Sequence, residues 1–155
     1  MKQNGHAKHQ QLWLDAGCGS AKQPNCLGMD KRKLPGVDVV HDIEALPWPF
    51  PKETFTRVIL SHVMEHIDPR RSVDVMNEIW RILKDHGRLV VADIVADRPV
   101  PLNLQAHKDL WGECISGSLS EEEFLSGLER AGFYGVSVMK RTFWKEVEGY
   151  KFYSL

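Results

Sequence analysis

Leu12-Trp13-Leu14-Asp15-Ala16-Gly17-Cys18-Gly19 decides how the rest of the chain is read. An apolar triplet runs into an acid and then a glycine turn, the pattern of a short buried strand breaking at its carboxyl end. Working outward, Cys26-Leu27-Gly28-Met29-Asp30 reads as a second strand that again ends on an acid. Val37-Asp38-Val39-Val40-His41 reads as a third, followed by Asp42. Leu46-Pro47-Trp48-Pro49-Phe50-Pro51 excludes helix, because proline removes donors and clashes with the preceding turn. Arg57-Val58-Ile59-Leu60-Ser61 is the fourth strand. Asp68-Pro69 then caps and opens a helix that carries Val73, Met76, Ile79, Trp80 and Leu83 at helical spacing, with Gly87 as its stop. A fifth strand is expected over 88–94, and a less regular stretch over 95–117. Ser120 with Glu123 spells a capping box for a helix through Phe124, Leu125, Leu128 and Ala131, ended by Gly132. Two last strands are expected near 135–140 and 149–155.

Strands alternating with helices predict an α/β domain on a mostly parallel sheet of about seven strands. About nine residues join strands one and two, and about six join two and three, against the dozen or more of an ordinary parallel crossover. Helices are therefore expected to be missing between strands 1–2 and 2–3. The apolar Leu27, Met29, Val37, Val39 and Val40 would then lie on an undercovered face, and a homodimer is the expected cover.

With 155 residues, the chain is read as one domain, 1–155, with the polar segment 1–11 as a loose N-terminal arm. A net charge of -1 with scattered basic residues gives no reason to expect nucleic acid or an anionic membrane as partner. The cysteines Cys18, Cys26 and Cys114 form no C-x-x-C pair, which suits a reducing compartment. No apolar run reaches membrane-spanning length and the start lacks a signal-peptide core, so a cytoplasmic location is expected.

In open α/β sheets ligands bind beyond the carboxyl ends of the strands. Asp15, Gly17, Gly19, Asp30 and Asp42 all fall at such ends. Gly17 and Gly19 let the backbone approach a ligand closely. Asp30 is placed to accept from the two hydroxyls of a ribose. Asp15 would repel a pyrophosphate but suits an ammonium or a sulfonium, and no helix N-terminus is available for phosphates. The ligand expected from these residues is a cationic nucleoside without phosphate.

The whole first half sharpens this. Leu14-Asp15-Ala16-Gly17-Cys18-Gly19, Asp42 with Leu46-Pro47-Trp48-Pro49-Phe50, Ser61-His62-Val63-Met64-Glu65-His66, and Glu78-Ile79-Trp80-Arg81-Ile82-Leu83-Lys84-Asp85-His86-Gly87-Arg88-Leu89 closely resemble the class I S-adenosylmethionine-dependent methyltransferases. The resemblance runs over about residues 12–94 and implies a Rossmann-like fold, here trimmed of helices. It implies S-adenosyl-L-methionine as cofactor, S-adenosyl-L-homocysteine as product, and cofactor contacts from Asp15, Gly17, Gly19, Asp30, Asp42 and Ser61. It departs from the family at Asp85-His86, where Pro-Gly is usual, and in the missing first helix. His62-Val63-Met64-Glu65-His66 also spells the H-x-x-E-H zinc pattern. That site needs a helix and a distant third ligand, so no metal is expected. His62 and His66 line an active-site rim in one reading; in the other, Glu65 and His66 serve loop backbone.

Leu110-Trp111-Gly112-Glu113-Cys114, followed by Gly117-Ser118-Leu119, resembles the segment after strand five of arsenite methyltransferases. There the matching cysteine is a thiolate ligand to trivalent arsenic, which casts Cys114 as an acceptor-binding residue. The further ligand cysteine of that family has Tyr150 in its place here, and Cys26 lies only near a third. One thiolate cannot chelate a soft ion as three do. A small-molecule acceptor is expected, with thiols and arsenicals as candidates and His62 and Cys114 as catalytic residues; a buried, inert Cys114 is the alternative. The rival function is a cofactor-holding or interaction module without turnover.

Overall fold

A computed structural model describes residues 12–106 and 114–155. The expected arm 1–11 and the Leu110-Trp111-Gly112-Glu113 motif lie outside the described residues. In order, the elements are β1 (Trp13–Ala16), β2 (Cys26–Asp30), β3 (Val39–Val40), β4 (Phe55–Ser61), 3-10 turns at Met64–His66 and Pro69–Arg71, α1 (Ser72–Ile82) and β5 (Leu83–Ala92). They continue with β6 (Ile94–Ala96), α2 (Leu102–Gln105), α3 (Glu121–Arg130), β7 (Thr142–Val147) and β8 (Tyr150–Ser154).

The first five strands form one parallel sheet in the order β3-β2-β1-β4-β5. The last three form a separate antiparallel sheet, β6-β8-β7. The parallel sheet is thus smaller than the seven strands expected. The chain is diverted at Asp93, between β5 and β6, and the remaining strands pair only with one another.

One face of the parallel sheet makes the core. Leu14, Ala16, Met29, Val58 and Leu60 pack beneath Val75, Met76, Ile79 and Ile82 of α1 and Phe124 and Leu128 of α3. Trp80, expected on the buried side of α1, is 56% exposed; Val75 and Ile82 take the core positions. Gly87 does not stop α1 as expected. The helix ends at Ile82 because Leu83 turns extended and pairs with Phe55, and sheet pairing outcompetes another helical turn. The next pair is Arg88 with Arg57, so residues 84–87 bulge out of β5. Asp68 caps the 3-10 turn before α1, and the Ser120–Glu123 capping box forms as read.

The two helices expected to be missing are missing: β1–β2 and β2–β3 are joined by turns. The reasoning about the uncovered face needs correction. Register places Leu27 beside Leu14 and Met29 beside Ala16 and Val39, all on the core side. The opposite face carries Trp13, Asp15, Cys26, Gly28 and Arg57, with the Arg57 guanidinium 4.1 Å from the Trp13 ring centroid. The expected dimer thereby loses the apolar face that motivated it; Val40 is exposed and Val37 half-buried.

The linkers themselves cover this second face. A Cβ on Gly28 would stand 2.6 Å from Lys22 Cδ, 2.9 Å from Cys18 Sγ and 3.0 Å from the Gly36 carbonyl oxygen. Asp38 clasps both linkers, accepting at one oxygen from the Gly28 amide and from Lys22 Nζ, each at 2.7 Å. The Gly28 amide, and then the Lys22 ammonium, hold this carboxyl below the usual aspartate range. Residues 135–140, expected as a strand, are exposed and unpaired; the hairpin forms instead from β7 and β8.

Because backbone as well as side chains meets Gly28, Gly28→Ala should destabilise the fold by about 1–3 kcal/mol in urea unfolding. A change within about 0.5 kcal/mol, the range of an ordinary surface substitution, would show that the linkers do not press on β2.

Candidate functional site

The strand ends of β1 and β4 open on a cavity of about 230 Å³, lined by Asp15, Gly17, Cys18, Ala21, Gln23, Ser61 and His62. That is below the roughly 300–1,000 Å³ of typical ligand pockets, so a nucleoside-sized ligand would stand partly outside it. Gly17 is required where it sits. Its φ is +77°, a Cβ would lie 2.6 Å from Val63 Cγ2, and its amide and that of Cys18 both donate to the Met29 carbonyl. The turn thereby leaves β1 tightly folded against β2, with Asp15 held at the cavity wall.

Asp15 is 3% exposed, and one of its oxygens accepts the Gln23 amide at 2.7 Å. Burial pushes its carboxyl above the usual range, against the Gln23 amide and the Lys22 charge. Asp30 behaves oppositely. Burial pushes it up too, but the amides of Arg32 and Gly19 and the Arg32 guanidinium outweigh that and leave it below the usual range. Asp30 and Gly19 adjoin the cavity wall through their mutual hydrogen bond rather than lining it. Asp42 is exposed and accepts the Glu44 amide in a turn, outside the cavity. Four of the eight expected site residues, Asp15, Gly17, Ser61 and His62, therefore share one wall.

The eighth, Cys114, lies on the other side of His62, half-buried, with Sγ 3.8 Å from His66 Nε2. Burial, and behind it the neighbouring Glu65 carboxylate, pushes its thiol up to about 12. Left alone, this cysteine is a poor nucleophile at neutral pH. His62 holds φ at +55° and Cys114 at +62°, left-handed conformations that side chains rarely adopt. His62 Nδ1 stands 3.2 Å from Glu65 Oε1.

Sequence reasoning missed Asp93, which shapes this region more than any residue it named. Its buried carboxylate accepts the amides of Val63, Met64, Glu65 and Ile94 at 2.8–3.2 Å. The signal was present, since Asp93 is one more acid after a run of strand residues, but it was absorbed into an overlong fifth strand.

Residues 23–91 match the model of the methyltransferase domain family. The arsenic(III) S-adenosylmethionine methyltransferase of Chlamydomonas reinhardtii superposes with a TM-score of 0.73 at 19% identity, over 94% of this chain and 62% of that one. The chain shares the fold of that enzyme. The arsenite methyltransferase of Mus musculus is 25% identical over 77% of this chain and 40% of its own length. That of Aquipseudomonas alcaligenes is 34% identical over 49% of this chain and 22% of its own length. The chain thus spans less than half the length of the curated relatives it matches. Among the described residues no helix is long and apolar enough to cross a membrane.

In this fold Asp93→Asn should cost about 3 kcal/mol or more, because an amide nitrogen would face two donors at the buried cluster. Unfolding within 1 kcal/mol of the parent, as a rough bound, would show that the turn after β4 does not depend on it. The two site acids should also separate by carboxylate-detected NMR, with Asp15 titrating above and Asp30 below ordinary aspartate. Asp30 then contributes stability present above its unfolded pKa and lost as pH falls through its lower folded value. Asp15 contributes stability present below its unfolded pKa and lost as pH rises through its higher folded value. The reverse order of titration would contradict the hydrogen-bond arrangement.

Proposed function

We propose that this chain is an S-adenosylmethionine-dependent methyltransferase acting on a small-molecule acceptor of the thiol or arsenical class. The observation that carries the reading is Asp15: a buried carboxylate on the cavity wall whose ionisation is opposed by burial, beside a glycine turn that admits close approach. A cationic ligand relieves that opposition, and the ammonium and sulfonium of S-adenosylmethionine supply one. Gly17 and Gly19 let the backbone meet the cofactor, Asp30 accepts from the ribose hydroxyls, and Ser61 and Asp42 complete the contacts at the ends of β4 and β3. The relatives named as arsenite methyltransferases support the acceptor class.

Bound there, the cofactor supplies an electrophilic methyl group. His62 stands at the junction of the cavity and the Cys114 side, where an acceptor would approach. There it would take the proton of a thiol acceptor and leave the sulfur pair free for the electrophilic methyl group that the cofactor would supply when bound. Cys114 holds the acceptor in line, and the proximity this provides is the main source of acceleration. Tyr150 is engaged by Arg98, whose guanidinium lies 4.2 Å from its ring centroid, so the place of the family's further cysteine belongs to another contact. That feature, with the small cavity, favours the second reading: a domain that holds the cofactor without turnover.

Calorimetric titration with S-adenosylhomocysteine should show binding, and Asp30→Ala should weaken it by roughly 1–3 kcal/mol, about 5- to 150-fold. Thermal unfolding of the variant is the control for loss of fold. Absence of binding to the parent, or equal affinity in the variant, would overturn the ribose assignment. A labelled-methyl screen of thiols and arsenicals then separates the enzyme from the cofactor-holding module, and Cys114→Ser should abolish turnover while keeping cofactor affinity.

A further inference from the structure

Glu65 is buried, at 1% exposure, and its partners are incomplete. Oε1 meets His62 Nδ1 at 3.2 Å, whereas Oε2 has no hydrogen-bond partner among the described residues. A buried carboxylate is costly unless it is partnered, and besides His62 the Cys114 thiol hydrogen-bonds to this one. Cys114 arrives at the same point from across the fold. One donor atom each from His62, Glu65 and Cys114 all lie within 4.8 Å of one another. His66 Nε2, 3.8 Å from Cys114 Sγ, stands at the edge of the group.

This donor set has a definite chemical preference. Imidazole nitrogen, thiolate sulfur and one carboxylate oxygen suit zinc, and do not suit magnesium or calcium, which take oxygen ligands. Bond lengths of about 2.0–2.3 Å place the ligand atoms of a tetrahedral site about 3.5 Å apart. The present spread therefore needs only a small contraction. Glu65 is the fixed member, its amide bonded to Asp93, and the exposed His62 side chain already reaches it through Nδ1. The charges also close: one carboxylate and one thiolate balance a divalent ion, so the buried site becomes neutral on loading.

The H-x-x-E-H spelling of residues 62–66 is no argument for zinc by itself, because the segment is not an α-helix. The 3-10 turn does the equivalent work by folding Glu65 back onto His62, and Cys114 is the distant ligand that the pattern lacks.

We propose that His62, Glu65 and Cys114 form a site for one zinc-class divalent cation, with the fourth position open to solvent. On loading, the Cys114 S–H bond is replaced by a sulfur–metal bond and the proton passes to solvent. A cation here would occupy the same His62 and Cys114 atoms that are given to the acceptor above, so loading and methyl transfer exclude one another, while cofactor binding at Asp15 and Asp30 is independent of the site.

The test uses the full chain stripped of metal with a chelator. Cobalt(II) added as a spectroscopic probe should bind once per chain and give thiolate-to-cobalt charge-transfer absorption that zinc then abolishes. Cys114→Ser should remove that absorption. Glu65→Gln, checked for folding by circular dichroism, should weaken zinc in competition with a chromophoric chelator. The loss should exceed the roughly 10- to 100-fold that follows removal of an outer-shell partner. Cys18→Ser should change neither readout. Absence of stoichiometric cobalt binding, or charge-transfer absorption that survives in Cys114→Ser, would overturn the proposal. Affinity of the metal-free chain for S-adenosylhomocysteine, measured alongside, shows independently whether the cofactor reading stands.

Discussion

Four amides converge on one carboxylate at Asp93, and most of what is particular to this molecule depends on that convergence. A segment leaving a buried strand must find partners for its peptide groups, and water cannot supply them there. Asp93 does so for three successive residues after β4 and for the first residue of β6. Its carbonyl also accepts the amide of Leu155. One residue therefore ends the parallel sheet, shapes the turn that carries His62 and Glu65, and ties down the chain's last residue. The chemistry-bearing turn is rigid because its amides are spent on a charge rather than on helix.

A comparable economy operates on the opposite edge. Where helices would ordinarily shield the sheet, two short linkers lie against it, held by Asp38 and admitted by the absent side chain of Gly28. The consequence reaches the cavity, whose wall is partly one of these linkers. Cys18, Ala21 and Gln23 stand where a helix would otherwise enclose the ligand. Asp15 and Asp30, two carboxylates at neighbouring strand ends, are driven apart by this arrangement. Asp30 collects two amides and a guanidinium; Asp15 collects one amide and is left with its burial. A third carboxylate, Glu78, anchors the proline-rich segment through the Trp48 amide and Arg81, and burial alone would have pushed it up.

Local chemistry made much of this legible. β2 runs over the residues its pattern marked, the capping box at Ser120 and Glu123 forms, and the missing helices follow from linker length. What sequence could not show was pairing. Leu83 leaves α1 early because Phe55 offers it a strand partner, a long-range choice invisible in helical periodicity. Thr142–Val147 pairs because Glu148 and Gly149, both at positive φ, make a tight two-residue turn to β8; residues 135–140 have no such turn to a partner strand. The site divides the same way. Asp15 and Gly17 announced themselves by spacing, whereas the meeting of Glu65 with Cys114 joins residues far apart in the chain and needed the fold to reveal it.

Parallel sheets are ordinarily slow to assemble, because each pairing must first close a long loop whose entropy is lost before any contact forms. The short linkers change that order of events. Trp13 pairs with Cys26, and Met29 with Val39, across stretches hardly longer than a hairpin's. Trp13 with Arg57 spans a far longer interval. The β1–β2–β3 corner is thus the cheapest part of the sheet to nucleate, and β4 joins a template already in place. On loop-closure grounds, linkers this short bring the glycine turn and Asp15 into place at a lower entropic cost than any other pairing of the parallel sheet.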